Sequence, residues 1–411
     1  MTPALALALT TFGALLLAAV LLDETAARLR IPGILVVLVL GLLIDNPLEP
    51  GGSGDEIAFL SLNHASQISQ VALVLVLFFG GLTTNWHRIR PTLVPSLRLA
   101  TLGTFLTAAL LTLAMVLLLP VLPVGNVRGL AAALFVGGMF CSTDASAVLA
   151  LLRPLRDRLP PPLLHLIETE SGLNDPVAVV ICGLALAMAG GGRADPDVLV
   201  VDVVRQFILG ITVGFLGGSL AVQLLLSRST LLRSSLLSVV SLSILMVLAG
   251  GSELLGGSGL LAAYIAGLVI GNSEQLDQEL LEEAHAGFVK MAELSLFLCL
   301  GLVVDPVAVV RLLGFGLLVA LLLLLIRAPM VHLLLWRSSF RRSEKHLITL
   351  AGLRGAVPIA VAIQAAATPI SWGAAMPALA LAVVLFGMVG PGFALVPIAN
   401  RLGGDSAPSP E

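Results

Sequence analysis

Stretches of roughly 20 apolar residues, enough to cross a hydrocarbon core, recur along almost the whole chain. They lie at about 4–22, 28–44, 66–82, 93–122, 128–152, 162–190, 199–226, 231–251, 253–271, 284–303, 306–336, 345–368 and 373–400. Of the 411 residues, 58% are hydrophobic and 11% charged, whereas a soluble domain carries about a quarter charged residues. The chain therefore reads as an all-α polytopic membrane protein, with roughly thirteen transmembrane helices as its lipid-facing body. The longest connection, Asp45 to about Ala65, contains Pro47, Pro50 and a Gly-Gly-Ser-Gly run, and no soluble domain fits anywhere.

The basic residues test this count. With the N-terminus outside, sixteen of the 22 Lys and Arg fall on cytoplasmic connections, among them Arg153, Arg156, Arg158, Arg337, Arg341 and Lys345. That asymmetry is the positive-inside rule, and it predicts an N-terminus outside and a C-terminus in the cytoplasm of a bacterial-type inner membrane. Residues 4–22 lack the basic lead and cleavage site of a signal peptide and are expected to stay as a helix.

Several function classes drop out. A net charge of −3 and a single Tyr leave no basic aromatic surface for nucleic acid. Cys141, Cys182 and Cys299 are isolated within apolar spans and read as packing residues. The six His residues lack the spacing of a resident metal site. No cofactor is expected, and no nucleophile–base pair marks an intramembrane enzyme.

Against this background, the stretch Glu168-Thr-Glu-Ser-Gly-Leu-Asn-Asp-Pro176 stands out. An ionisable group at the bilayer centre costs about 2.5–3.5 kcal/mol even on the mildest scale. Ser171 and Asp175 are spaced i,i+4 and Glu168 and Asp175 i,i+7, so the three share one helix face. Glu170 is rotated from Asp175 by about 140° and should meet a packed neighbour. Asp175 is read as a carboxylate shared by a cation and a proton, Ser171 as its neighbour on the same wall, and Glu168 as the group nearer the cytoplasmic mouth.

Two spans look interrupted. One reads Gly137-Gly-Met-Phe-Cys-Ser-Thr-Asp-Ala-Ser146, rich in side chains that compete for backbone hydrogen bonds. The other reads Gly352-Leu-Arg-Gly-Ala-Val-Pro358, where Pro358 is expected to remove a donor from the helix ladder. They lie seven spans apart and so cross in opposite directions. Matching breaks in two inverted halves point to a transporter's binding site. A channel would need a continuous pore lined by ligands, which one inward carboxylate beside two breaks suits less well.

Phe140-Cys-Ser-Thr-Asp-Ala-Ser-Ala-Val-Leu-Ala-Leu-Leu-Arg153, Glu170-Ser-Gly-Leu-Asn-Asp-Pro-Val-Ala-Val179 and Gly352–Pro358 together resemble the signature segments of NhaP-type monovalent cation/proton antiporters. Their wording is most similar to the bacterial potassium/proton branch. Three motifs in order argue against an organic-anion symporter of similar inverted-repeat fold. The resemblance implies an elevator-type exchanger of K⁺ or Na⁺ for H⁺ with a role in pH homeostasis. It also implies a homodimer with a fixed interface domain (1–92 and 191–305), a moving core (93–190 and 306–400) and a short cytoplasmic tail (401–411).

On that likeness Thr143 resembles a cation ligand with Ser171 and Asp175, while Asp144 balances half-helix ends. Glu170 pairs with Arg327, and Arg354 lies near Asp144 or helix-end carbonyls; the swapped pair, Glu170 with Arg354, stays open. Asn174 is counted with the cation-binding group and stands where electrogenic relatives carry a second Asp, which implies one exchangeable charge per cycle.

There are two departures from the pattern. The potassium branch often carries a regulatory domain after the last helix, whereas this chain ends about ten residues beyond it. Phe79 stands before Gly80-Gly81, where similar proteins often carry an acid. Glu293 reads as an interfacial hydrogen-bonding group, Glu274 to Glu283 as a solvated loop, and the glycines from Gly250 to Gly259 as close helix packing.

Overall fold

A computed structural model describes residues 2–29, 33–44, 60–119, 127, 129–190, 196–227 and 236–405. Everything regular among them is helical: α1 (Pro3–Leu29), α2 (Gly33–Leu43), α3 (Leu62–Thr83), α4 (Arg90–Leu118), α5 (Leu130–Met139), α6 (Ala145–Leu152), α7 (Pro161–Ala189), α8 (Pro196–Ser227), α9 (Leu237–Leu254), α10 (Gly259–Gly271), α11 (Gln278–Val303), α12 (Pro306–Leu334), α13 (Arg342–Leu350), α14 (Ala356–Ala367) and α15 (Gly373–Leu402). Nine of the described helices are long and apolar enough to cross a membrane, and α5, α10 and α14 are shorter apolar helices.

The starts of these helices are written locally. Ser61, Ser258, Asp277 and Asp305 each cap a first turn with a side-chain oxygen, giving orphan amides the acceptor they need. Asp277 explains one difference from expectation. The acidic run is only partly a loop, because Gln278 to Glu283 already form the first turns of α11, with Glu279 at its positive end. The expected span at 28–44 is likewise shorter: residues 28 and 29 complete α1, and α2 begins at Gly33.

The glycines divide by use. Gly256 has φ +79° and turns the chain between α9 and α10, a conformation glycine adopts without Cβ strain. Gly257 and Gly259 pack closely, against Leu209 and the Ala249 carbonyl respectively, whereas Gly250 and Gly251 meet nothing nearby. The closest approach is between α3 and α10. Gly81 lies on the Tyr264 carbonyl, Gly267 on the Phe78 carbonyl and Gly271 on the Leu82 carbonyl. Gly41 of α2 and Gly301 of α11 also touch backbone to backbone. Small residues at such seams are how helices associate where lipid gives no hydrophobic drive between them.

Two short non-helical segments separate consecutive helices near the stretches read as interruptions. Residues 140–144 separate α5 from α6, and residues 351–355 separate α13 from α14. The two breaks touch, since the Asp144 amide donates to the Leu353 carbonyl at 2.9 Å. Pro358 plays a milder part than expected. It is the third residue of α14, where its missing N–H would have had no helical partner.

Candidate ion-binding site

A cavity of about 440 Å³ lies where α7 passes the two breaks. Its α7 wall carries His165, Glu168, Ser171, Gly172 and Asp175, all on the N-terminal half of that helix. The i,i+4 and i,i+7 spacing thus places Glu168, Ser171 and Asp175 on one cavity wall. Ser142, Thr143 and Asp144 come from the first break and Gly355 from the second, while α3 supplies Phe79 and Gly80. The α7 residues on this wall run from His165 to Asp175. Phe135 and Trp372, both buried, pack with tilted rings 5.0 Å between centres.

Ser142, Thr143 and Ser171 line the cavity together with Asp175, and the Thr143 and Ser171 hydroxyls lie 3.0 Å apart. A carboxylate with two or three neutral oxygens is the donor set that a hard monovalent cation takes.

Asn174 is placed differently from its assignment among the cation-binding residues. It is 1% exposed and off the cavity wall. Its Oδ1 accepts from the Thr143 amide at 3.3 Å, and its Nδ2 donates to the Thr143 hydroxyl at 2.9 Å. The carboxamide clamps Thr143 from behind.

Asp144 Oδ1 accepts from the Ser146 amide at 2.8 Å, the Ala147 amide at 3.3 Å and the Ser146 hydroxyl at 2.6 Å. It caps α6 with a negative charge at a positive helix end. Its Oδ2 is buried without a partner among the described residues and lies against Gly355, where a Cβ would overlap the carboxylate. Gly355→Ala should therefore force the crossing apart, at a cost of roughly 1–3 kcal/mol for overpacking. A clear drop in melting temperature is the expected result, and an unchanged one would show that the crossing has slack.

Glu170 turns away from the cavity and is 2% exposed. Arg327 of α12 meets it with both ends of its guanidinium, Nη1 to Oε1 at 2.7 Å and Nη2 to Oε2 at 3.0 Å. Arg327 also donates to the Ile348 and Thr349 carbonyls at 3.1 and 3.2 Å, which secures the free end of α13. Arg354 takes no part in this pair. It has no carboxylate within ion-pair distance among the described residues, and its Nε and Nη1 are buried without hydrogen bonds. Its two neighbours meet Asp144, Leu353 through the backbone hydrogen bond and Gly355 against the carboxylate.

Sequence reasoning missed four features of this site. Pro176 has no N–H to offer the Gly172 carbonyl four residues back, so an acceptor is released on the cavity wall beside Asp175. Tyr264, the single tyrosine, reaches the cavity from α10; its place in an apolar run disguised it. Glu293 also lines the cavity, so an acid arrives there from α11. Lys290 bridges Asp23 of α1 at 2.9 Å and Glu293 at 4.0 Å. Only the i,i+3 half of that cluster had a local signal.

Comparison with known proteins agrees with this architecture. The family described as "Sodium/hydrogen exchanger, transmembrane" matches residues 13–401. The K(+)/H(+) antiporter NhaP2 of Shewanella sp. (strain MR-4) is 34% identical over 362 residues, covering 85% of this chain and 59% of the relative. The K(+)/H(+) antiporter NhaP of Alkalimonas amylolytica is 31% identical over 407 residues, covering 97% of this chain and 67% of the relative. The chain thus spans about three-fifths of the length of the Shewanella protein. Among solved structures, the sodium proton antiporter MjNhaP1 of Methanocaldococcus jannaschii superposes with TM-score 0.81 at 22% identity, covering 98% of this chain and 100% of that one. That likeness concerns the fold. By the family match, the chain belongs to the sodium/hydrogen exchanger family of membrane proteins.

Proposed function

We propose that this protein is a secondary active antiporter that exchanges K⁺ or Na⁺ for H⁺, with Asp175 as the site both ions share. One observation carries the reading: Asp175 shares a cavity with the hydroxyl residues Ser142, Thr143 and Ser171, where two helix breaks touch. Thr143 and Ser171 complete the cation's shell, Glu168 gathers cations at the mouth, and Asn174 holds Thr143 in place rather than ligating. Asp144 and Arg354 offset the charged helix ends of the crossing. The named antiport activities of the relatives support the same chemistry.

The rest of the proposal follows the same frame. About thirteen crossings place the N-terminus outside and the C-terminus in the cytoplasm of the inner membrane. The cavity then opens to the cytoplasm. A core of 93–190 and 306–400 moves in elevator fashion against an interface domain of 1–92 and 191–305, within a homodimer.

Asn174 cannot supply a second exchangeable proton. Each half-cycle then carries one positive charge, as H⁺ or as the cation, and the two half-cycles cancel. A potential of 100 mV is worth about 2.3 kcal/mol for each charge moved, so an electrogenic exchanger would respond strongly. This one should be indifferent when a potential is imposed on proteoliposomes with a lipophilic-ion gradient and exchange is followed by a pH dye. A large voltage dependence of rate or end-point would establish a second proton or a different carrier. Running the assay with Li⁺, Na⁺, K⁺ and Rb⁺ in turn assigns the cation.

A further inference from the structure

A second cavity, of about 370 Å³, lies between α12, residues 349–354 and α15, with Arg327 and Arg354 in its wall. Its walls are almost wholly apolar, with Leu317, Leu321, Leu324, Val383 and Phe386 among them. Leu317, Leu321 and Val389 are exposed, so its rim belongs to the lipid-facing surface. A π-turn at Met388–Gly392 interrupts α15 beside it, and Gly387 and Gly390 meet no atom within 4 Å in the direction of a Cβ. Two cations stand in this apolar wall. Arg327 is neutralised by Glu170 and two carbonyls. Arg354 has no carboxylate within ion-pair distance among the described residues: it is 4% exposed, and its Nε and Nη1 lack acceptors.

A guanidinium in a low-dielectric wall needs an anion, and an apolar chamber needs an apolar body. We propose that this cavity binds a long-chain carboxylate from the membrane, its hydrocarbon chain between α12 and α15 and its carboxylate on Arg354. Depth selects a fatty acid over a phospholipid headgroup. The nine residues of α13 rise about 14 Å, which sets Arg354 near the middle of a hydrocarbon core of about 30 Å. A glycerophosphate head stays at the interface, whereas a fatty acid dissolves in the core. The planar carboxylate also matches the fork of donors on arginine. This inference does not depend on which ions the other cavity exchanges.

The test is equilibrium binding of radiolabelled oleate to the purified full chain in phosphatidylcholine nanodiscs, with empty nanodiscs subtracted. Saturable binding near one oleate per protomer is expected. Arg354→Gln should weaken it about tenfold, as expected for losing a charge-assisted contact. Gly387→Leu, which fills the chamber and leaves Arg354 in place, should weaken it at least as much. Oleyl alcohol should fail to displace oleate, and doping the nanodiscs with phosphatidylglycerol should leave binding unchanged. The proposal is overturned by an absent saturable component, by unchanged binding in Gly387→Leu, by displacement with oleyl alcohol, or by displacement with phosphatidylglycerol.

Discussion

Asp175→Asn should reduce cation-driven proton flux in proteoliposomes to the background of empty vesicles, while the protein purifies and melts as the parent does. The substitution preserves volume and keeps a hydrogen-bonding group in the cavity with Ser142, so the fold has little reason to respond. In the proposed exchange it removes the negative charge that would attract the cation and the oxygen that would take the proton, and neither can be supplied by the hydroxyls that share the cavity. Ser171→Ala and Thr143→Ala should behave differently, weakening apparent cation affinity while leaving measurable exchange. Competition at one carboxylate has a kinetic mark as well. Raising the proton concentration on the cation's side should raise the apparent Michaelis constant with little change in maximal rate at saturating cation. Substantial flux through Asp175→Asn would move the carrier elsewhere in the cavity, with Glu293 the first residue to examine.

The second large effect concerns stability. Glu170→Ala or Arg327→Ala strands the surviving charge inside the protein, and breaking such a buried pair typically costs about 3–5 kcal/mol. Each single variant should melt well below the parent. The double variant should lose less than the sum of the two, because it leaves no orphaned charge. The Arg327 side should be the costlier, since its guanidinium also holds the Ile348 and Thr349 carbonyls at 3.1 and 3.2 Å. Strict additivity in a melting series would show that the bidentate contact contributes nothing beyond its separate parts.

Much of this architecture is legible in the sequence because lipid restricts the choices. The apolar spans, the carboxylates on one face of α7 and the two breaks all follow from local residue order. What escaped depends on rotation and on distance along the chain. Asn174 precedes Asp175 by one residue, about 100° around the helix, and that turn takes its carboxamide off the cavity and onto Thr143. Pro358 suggests a break at its own position, but the non-helical residues are 351–355, and the proline merely starts the next helix. The Glu170–Arg327 pair, by contrast, is the one the family resemblance implies, and the three-dimensional course of α12 brings Arg327 rather than Arg354 to Glu170. The Asp23–Lys290 contact joins helices far apart in sequence, and no spacing rule reaches that far.

The seam between α3 and α10 has a consequence for the size of the ion path. Phe79 and Gly80 on one helix and Tyr264 on the other form part of the cavity wall, and their separation is fixed where Gly81, Gly267 and Gly271 lie directly on opposing carbonyls. Those three positions therefore act as a gauge. A single methyl group at any of them would push the two backbones apart and widen the chamber above Asp175, although none of the three contributes a ligand. In the proposed exchange, the calibre open to a dehydrating cation is thus set by hydrogen atoms on residues that the cation would never meet.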